Sequence, residues 1–195
     1  MNTKTKVINI IGGPGTGKST IATGIYSLLK QQGVSCELAS EYAKDVTWEG
    51  NTALFNNQIK LFAEQFRRVY RLLDKVDFVI CDSPLILNGI YVKFWLNRAE
   101  KKYFDDDYIY LQEQFFNETF DQFNNLNFYI QRNPKYHTPN GRVHTLEESK
   151  EIDRAILDTM LVYDPDHYIC NGSTTEIITE ITNIISEDYI VDVRV

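Results

Sequence analysis

Cysteine is scarce in this chain: there are 3, at Cys36, Cys81 and Cys170. So few, odd in number and widely spaced, they indicate neither a disulfide framework nor a zinc site. Each lies in or beside an apolar run, the usual place for a small buried thiol. A reducing, cytoplasmic location is the expectation. No apolar run approaches the roughly 18 residues that a membrane span needs, and the opening Met1-Asn2-Thr3-Lys4-Thr5-Lys6 lacks a signal-peptide layout. Positive charge is also short, with 20 Lys and Arg against 27 Asp and Glu and a formal charge of −7. Proteins that coat nucleic acid rely on Lys and Arg at phosphates, so that class is disfavoured. A nucleotide ligand is still compatible, because local charge outweighs the total.

What is present suits one soluble α/β domain. The 195 residues are 43% hydrophobic and 24% charged, enough to bury a proper core. Residues 6–11 read as a buried strand ending at a glycine-rich turn. From Lys18 the spacing becomes helical, with Ile21, Ile25, Leu28 and Leu29 on one face and Gly33 as the stop. Residues 34–40 suggest a second strand, and Ile59, Phe62, Phe66, Val69 and Leu73 a long helix over 53–74. Val76–Cys81 is a third strand, 85–123 two helices broken near Asp105-Asp106-Asp107, and Leu126–Gln131 a fourth strand. Thr145 and Ser173, each with Glu three residues on, open two capped helices. Ile152, Ile156, Met160 and Tyr163 mark the buried face of the first, and Ile177, Ile181 and Ile184 that of the second. His167–Cys170 is a short fifth strand, and Tyr189–Val195 a final strand or a tail. Strands alternating with helices imply right-handed crossovers and a parallel five-stranded sheet covered on both faces, a three-layer α/β/α fold. The spacing Gly12-x4-Gly17-Lys18-Ser19 between its first strand and first helix makes it a P-loop NTPase fold.

The run Gly12-Gly13-Pro14-Gly15-Thr16-Gly17-Lys18-Ser19 meets the full P-loop spacing, with a strand before it and a helix after it. Glycines let successive N–H groups turn inward toward phosphate oxygens, and the following helix adds its positive end. Gly13, Pro14, Gly15, Thr16, Gly17, Lys18, Ser19 and Thr20 are therefore the expected ATP-binding residues. Lys18 reaches the β- and γ-phosphates, and the Ser19 hydroxyl ligates Mg²⁺. Asp82 closes an apolar strand, where a carboxylate holds the same Mg²⁺ or accepts a proton from a substrate hydroxyl. Glu41 follows the second strand and suits the same base role; spacing does not choose between them.

Between Gln131 and His144 the chain carries Arg132, Lys135 and Arg142 and no acidic residue. With Pro134, Pro139 and Gly141 this segment, about 132–144, reads as a lid whose arginines close over a transferring phosphoryl group. Arg132 and Arg142 bracket it, and Arg154 is a third candidate. The aromatic stretch from Tyr91 to Phe123 is mostly core, with one or two rings, or Trp48, available to stack on a flat acceptor.

Four passages carry a resemblance: Gly-Gly-Pro-Gly-Thr-Gly-Lys-Ser-Thr (12–20), Ser-Glu-Tyr-Ala-Lys (40–44), Cys-Asp-Ser-Pro-Leu (81–85) and Gly-Arg-Val-His-Thr-Leu-Glu-Glu-Ser-Lys-Glu-Ile-Asp (141–153). Over about 7–185 the chain resembles the AAA-type ATPase/kinase family that includes the kinase domain of bacterial nicotinamide riboside kinases, with many small phage members. The resemblance implies a nucleoside-kinase-like fold, ATP, Mg²⁺ and a hydroxyl acceptor, and, for a phage-encoded chain, the host cytoplasm. The expected activity is γ-phosphate transfer to a nucleoside-like small molecule such as nicotinamide riboside. The alternatives are a phage kinase of a modified deoxynucleotide or of 5-hydroxymethyluracil in DNA, and a regulatory NTPase without acceptor. The net charge makes DNA the less natural partner, no membrane is expected, and the oligomeric state is left open.

Overall fold

The computed structural model describes residues 4–99, 105–133 and 144–193. Its frame is a five-stranded sheet in the order β2-β3-β1-β4-β5, made of β1 (Lys6–Ile11), β2 (Cys36–Ala39), β3 (Phe78–Cys81), β4 (Asn124–Ile130) and β5 (Tyr168–Cys170). Every strand pair is parallel. The helices are α1 (Lys18–Gln31), α2 (Tyr42–Trp48), α3 (Gln58–Tyr70), α4 (Ile86–Ala99), α5 (Asp106–Phe120), α6 (Leu146–Tyr163) and α7 (Thr174–Val193).

Alternation along β1 divides the core between the two faces of the sheet. Val7 and Ile11 point into a cluster with Phe62, Leu85, Phe116, Ile156 and Met160, under α3 to α6. Ile8 and Ile10 point into the other, with Ile21, Ile25 and Leu29 of α1 and Ile177, Ile181 and Ile185 of α7. A sheet buried on both faces needs near-continuous apolar strands, which β1 and β3 supply. Asn9 interrupts β1, but its side chain donates to Asn125 Oδ1 and Asn127 Oδ1, each at 2.8 Å, so the buried amide is satisfied.

Both predicted capping boxes form. Thr145 Oγ1 accepts from Glu148 N at 3.2 Å while Glu148 Oε2 accepts from Thr145 N at 2.9 Å. Ser173 and Glu176 exchange the same bonds at 3.3 and 2.7 Å.

Three sequence expectations change. Tyr189 to Val193 form no strand but extend α7; no Gly or Pro interrupts the helix, which propagates at one hydrogen bond per residue once docked. The expected long helix over 53–74 is a 3-10 turn at Thr52–Asn56 followed by α3. Asn57 separates them, capping α3 by accepting from Lys60 N at 3.0 Å. Leu28, Ile59 and Tyr163, expected on buried faces, are 37%, 47% and 36% exposed. Leu28 and Ile59 lie off the axis of their helices' buried faces, and Tyr163 is the last residue of α6, its hydroxyl accepting from Asn117 Nδ2 at 2.7 Å. On α1 the small Ala22 is buried instead.

The aromatic stretch is core only in part: Phe116, Phe120 and Phe123 are buried, whereas Tyr108, Tyr110 and Phe115 are 36%, 58% and 61% exposed. Phe116 is stacked on Phe62 with ring centroids 4.1 Å apart, joining α5 to α3. Phe116→Ala should therefore cost about 3–5 kcal/mol in urea unfolding. Leu111→Ala, on the exposed side of α5, should stay within about 0.5 kcal/mol of the parent.

Burial pushes the Cys81 and Cys170 thiols up to about 12. For Cys81 the Ser83 backbone and a Gln65 amide 3.8 Å from the sulfur oppose the shift only partly. The folded protein should resist iodoacetamide at both positions at pH 8, with alkylation appearing on unfolding. An unfolded thiol ionises near 9.0, so above that pH the unfolded chain binds fewer protons than the native one. Stability should be unaffected by these thiols below pH 9 and fall as the pH rises toward 12.

Candidate active site

Parallel strands share their C-terminal edge, and the chain leaves the sheet there at each predicted position. The strand order reverses about β1, with β3 on one side and β4 on the other. Such a switch point opens a crevice between outgoing loops. The P-loop leaves β1, Glu41 follows β2, Asp82 follows β3 and Arg132 follows β4.

The P-loop turns on Gly15 and Gly17, whose φ values of 85° and 94° are left-handed. Gly17 caps α1, and Lys18 begins it, so the positive end of the helix lies at the turn. Lys18 Nζ donates to the Gly13 carbonyl at 3.0 Å. The same carbonyl accepts the Thr16 hydroxyl at 3.1 Å. These bonds hold the loop as a closed curve around its own backbone. Gly12, Gly13 and Thr16 are buried, Ser19 is half-buried and Thr20 is exposed.

Asp82 is 5% exposed. Its backbone N–H donates to Ala39 carbonyl at 3.1 Å, fixing it beside the end of β2. Its Oδ1 is buried without a hydrogen-bond partner among the described residues. A buried carboxylate oxygen left so is costly unless a ligand completes it. Among the described residues no three His, Cys, Asp or Glu converge on a metal site, so a protein-only cage is not built. One carboxylate with a hydroxyl such as Ser19 instead suits Mg²⁺, which keeps waters and phosphate oxygens as its other ligands.

Glu41 is half-buried and stands as the N-cap of α2 without capping it through its side chain. Its charge is felt by the Cys81 thiol, as is that of Asp82. Tyr91 of α4 joins the group: its phenol is pushed up, first by burial, then by Glu41 and Asp153, with Arg132 opposing. One neighbourhood thus holds Glu41, Tyr91, Asp153 and Arg132.

Arg132 lies against the P-loop. Its Nε donates to Asp153 Oδ2 at 2.5 Å and its Nη2 to the Pro14 carbonyl at 2.7 Å. Asp153, on α6, was missed in sequence although it ends the passage 141–153; no local pattern tells a helical aspartate in the first turns of α6 from a solvated one. Tyr91 was hidden among the many aromatics of its stretch for the same reason. Arg142, with Lys135 and most of the proposed lid, lies outside the described residues. Arg154 and Trp48 are both exposed, Trp48 by 74%.

A family model described as an AAA domain matches residues 7–169. No curated protein sequence matches the chain. Among solved structures, deoxyadenosine kinase from M. mycoides superposes with a TM-score of 0.63 at 18% identity, covering 93% of this chain and 99% of that one. The NadR protein in complex with NR gives 0.66 at 16%, covering 87% and 46%. Thymidylate kinase from Candida albicans gives 0.59 at 15%, covering 97% and 94%. At these identities the likeness establishes the fold, the P-loop α/β fold that nucleoside and nucleotide kinases share. The family match, running from β1 into β5, decides membership: the chain belongs to this AAA-domain family.

Proposed function

We propose that this protein is an ATP-dependent kinase that transfers the γ-phosphoryl group to a hydroxyl of a nucleoside-like small molecule. The observation that carries the reading is the buried, partnerless Asp82 oxygen at the strand end beside the P-loop. A P-loop alone needs only a triphosphate, whereas a carboxylate waiting next to it needs the cation that accompanies one.

In this reading Gly13 to Thr20 bind the triphosphate: the N–H groups from Gly15 onward cradle it, since Pro14 has none and the Gly13 N–H stays on Asp153, and Lys18 releases the Gly13 carbonyl to reach the β- and γ-phosphates. Ser19 and Asp82 would hold Mg²⁺, which neutralises charge on the phosphate oxygens when bound. With Asp82 so engaged, Glu41 receives the proton of the acceptor hydroxyl as its oxygen bonds to the γ-phosphorus. The bond from that phosphorus to the β,γ-bridging oxygen breaks, and ADP leaves with the electron pair. Arg132 stands at the P-loop's other wall, and Arg142 is kept as a second cation for the transferring group. Tyr91, a neutral phenol whose ionisation burial and the charges of Glu41 and Asp153 disfavour further, can donate or accept a hydrogen bond in the same neighbourhood.

Nicotinamide riboside is the first acceptor to try. A deoxynucleoside is the second reading, favoured because the chain spans 99% of the stand-alone deoxyadenosine kinase but 46% of the NadR chain. A mass-spectrometric screen of nucleosides, nucleotides and hydroxymethylated DNA with ATP and Mg²⁺ should give one phosphorylated class. ATP hydrolysis indifferent to every acceptor would point instead to a regulatory NTPase.

Two substitutions test the site. Lys18→Ala should lower turnover at least about 100-fold, through lost phosphate positioning. Asp82→Asn should bind ATP in the absence of Mg²⁺ as the parent does, yet lose about 100-fold or more in kcat. Near-normal turnover in Asp82→Asn would remove Asp82 from the proposed chemistry.

A further inference from the structure

Arg132 and Asp153 form the best-connected ion pair among the described residues, and the second strand of its contacts runs into the P-loop. The guanidinium meets the carboxylate at two points, Nε to Oδ2 at 2.5 Å and Nη2 to Oδ1 at 3.1 Å. Both side chains are mostly buried, 11% and 14% exposed. Nη2 also donates to the Pro14 carbonyl at 2.7 Å. Asp153 Oδ1 accepts in addition from the Gly13 N–H, at 3.1 Å. Three separate pieces of chain are thereby tied: the segment after β4, the start of the P-loop and α6.

The same geometry explains the residue type at position 13. A Cβ built on Gly13 would lie 2.1 Å from Asp153 Oδ1 and 3.2 Å from Arg132 Nη2. No side chain fits there while the carboxylate is in place. Glycine at 13 is set by the clamp and not by the loop's own curvature, since the left-handed φ values belong to Gly15 and Gly17.

We infer that Asp153 is a positioning residue for nucleotide binding: through its paired contacts with Gly13 and Arg132 it fixes the mouth of the P-loop and the orientation of the Arg132 guanidinium. Asp153 accepts through both oxygens, engaging the Nε–Nη2 edge of Arg132, and none of these described contacts uses Nη1. A phosphate oxygen can then be met by a guanidinium whose plane is already set, with less rotamer freedom lost on binding. A lysine cannot hold this bidentate geometry. The inference rests on ATP being the ligand of the loop, as proposed above, and not on the identity of the acceptor.

The test is calorimetric titration of ATP with Mg²⁺ into the parent and into Asp153→Asn, Arg132→Ala and the double variant, with circular dichroism to confirm folding. Asp153→Asn and Arg132→Ala should each weaken ATP binding about tenfold, and the double variant should be no weaker than the poorer single one, because the two act as a unit. Arg132→Lys should not restore affinity despite keeping the charge. Asp153→Asn binding ATP like the parent, or costs that multiply in the double variant, would overturn the positioning role while leaving the kinase reading intact. A parent protein that binds no ATP overturns both. If Asp153→Asn does not fold, the comparison of Arg132→Lys with the parent decides: unchanged affinity overturns the inference, and a tenfold loss supports it.

Discussion

The double parallel pairing of β1 is the constraint on which the rest of the molecule depends. β1 is hydrogen-bonded to β3 on one side and to β4 on the other. Because all three strands run the same way, the chain must leave each of them at one common edge. The P-loop, Asp82 and Arg132 are brought together by that fact before any side chain makes a contact. The alternation that sends Val7 and Ile8 into opposite core layers also locks the register, since a one-residue slip would exchange the layers.

On that frame the site is assembled from two kinds of interaction. Inside the P-loop the bonds are local, with the Gly13 carbonyl gathering the Lys18 ammonium and the Thr16 hydroxyl. Around it they are long-range: the Gly13 N–H reaches a carboxylate on α6, and the Pro14 carbonyl reaches the arginine after β4. Partly buried charge-assisted bonds of this kind are stronger than surface pairs, but only while both partners are present. Asp82 is the opposite case, a buried carboxylate whose Oδ1 has no hydrogen-bond partner among the described residues. One acidic residue holds the P-loop, and the other lies buried at a neighbouring strand end.

The charge distribution fits this division. In the proposed reading a chain of net charge −7 would meet phosphate through backbone N–H groups, a helix end and a few placed cations, with no need of a basic surface. Burial then tunes the neighbouring neutral groups: Tyr91 and Cys81 are held protonated, the more so for the carboxylates beside them.

The P-loop, the five strands and both capping boxes were legible in the sequence because each is a short-range pattern. Glycine spacing, apolar runs and a Thr or Ser three residues before Glu act within one turn or one strand. The extent of α7 was not legible, since nothing local in Tyr189 to Val193 chooses between alternation and helical period. Nor was the exposure of Leu28 and Ile59, which lie at the margins of their stripes. Asp153 marks the limit most clearly: its bond to Gly13 spans 140 positions of sequence. The sequence by itself determined a phosphate-binding loop on a parallel α/β sheet, because those rules are local. Only the tertiary structure decided which carboxylate clamps the loop and which lies buried at its edge, because that depends on which strand ends and helix faces the sheet order makes neighbours.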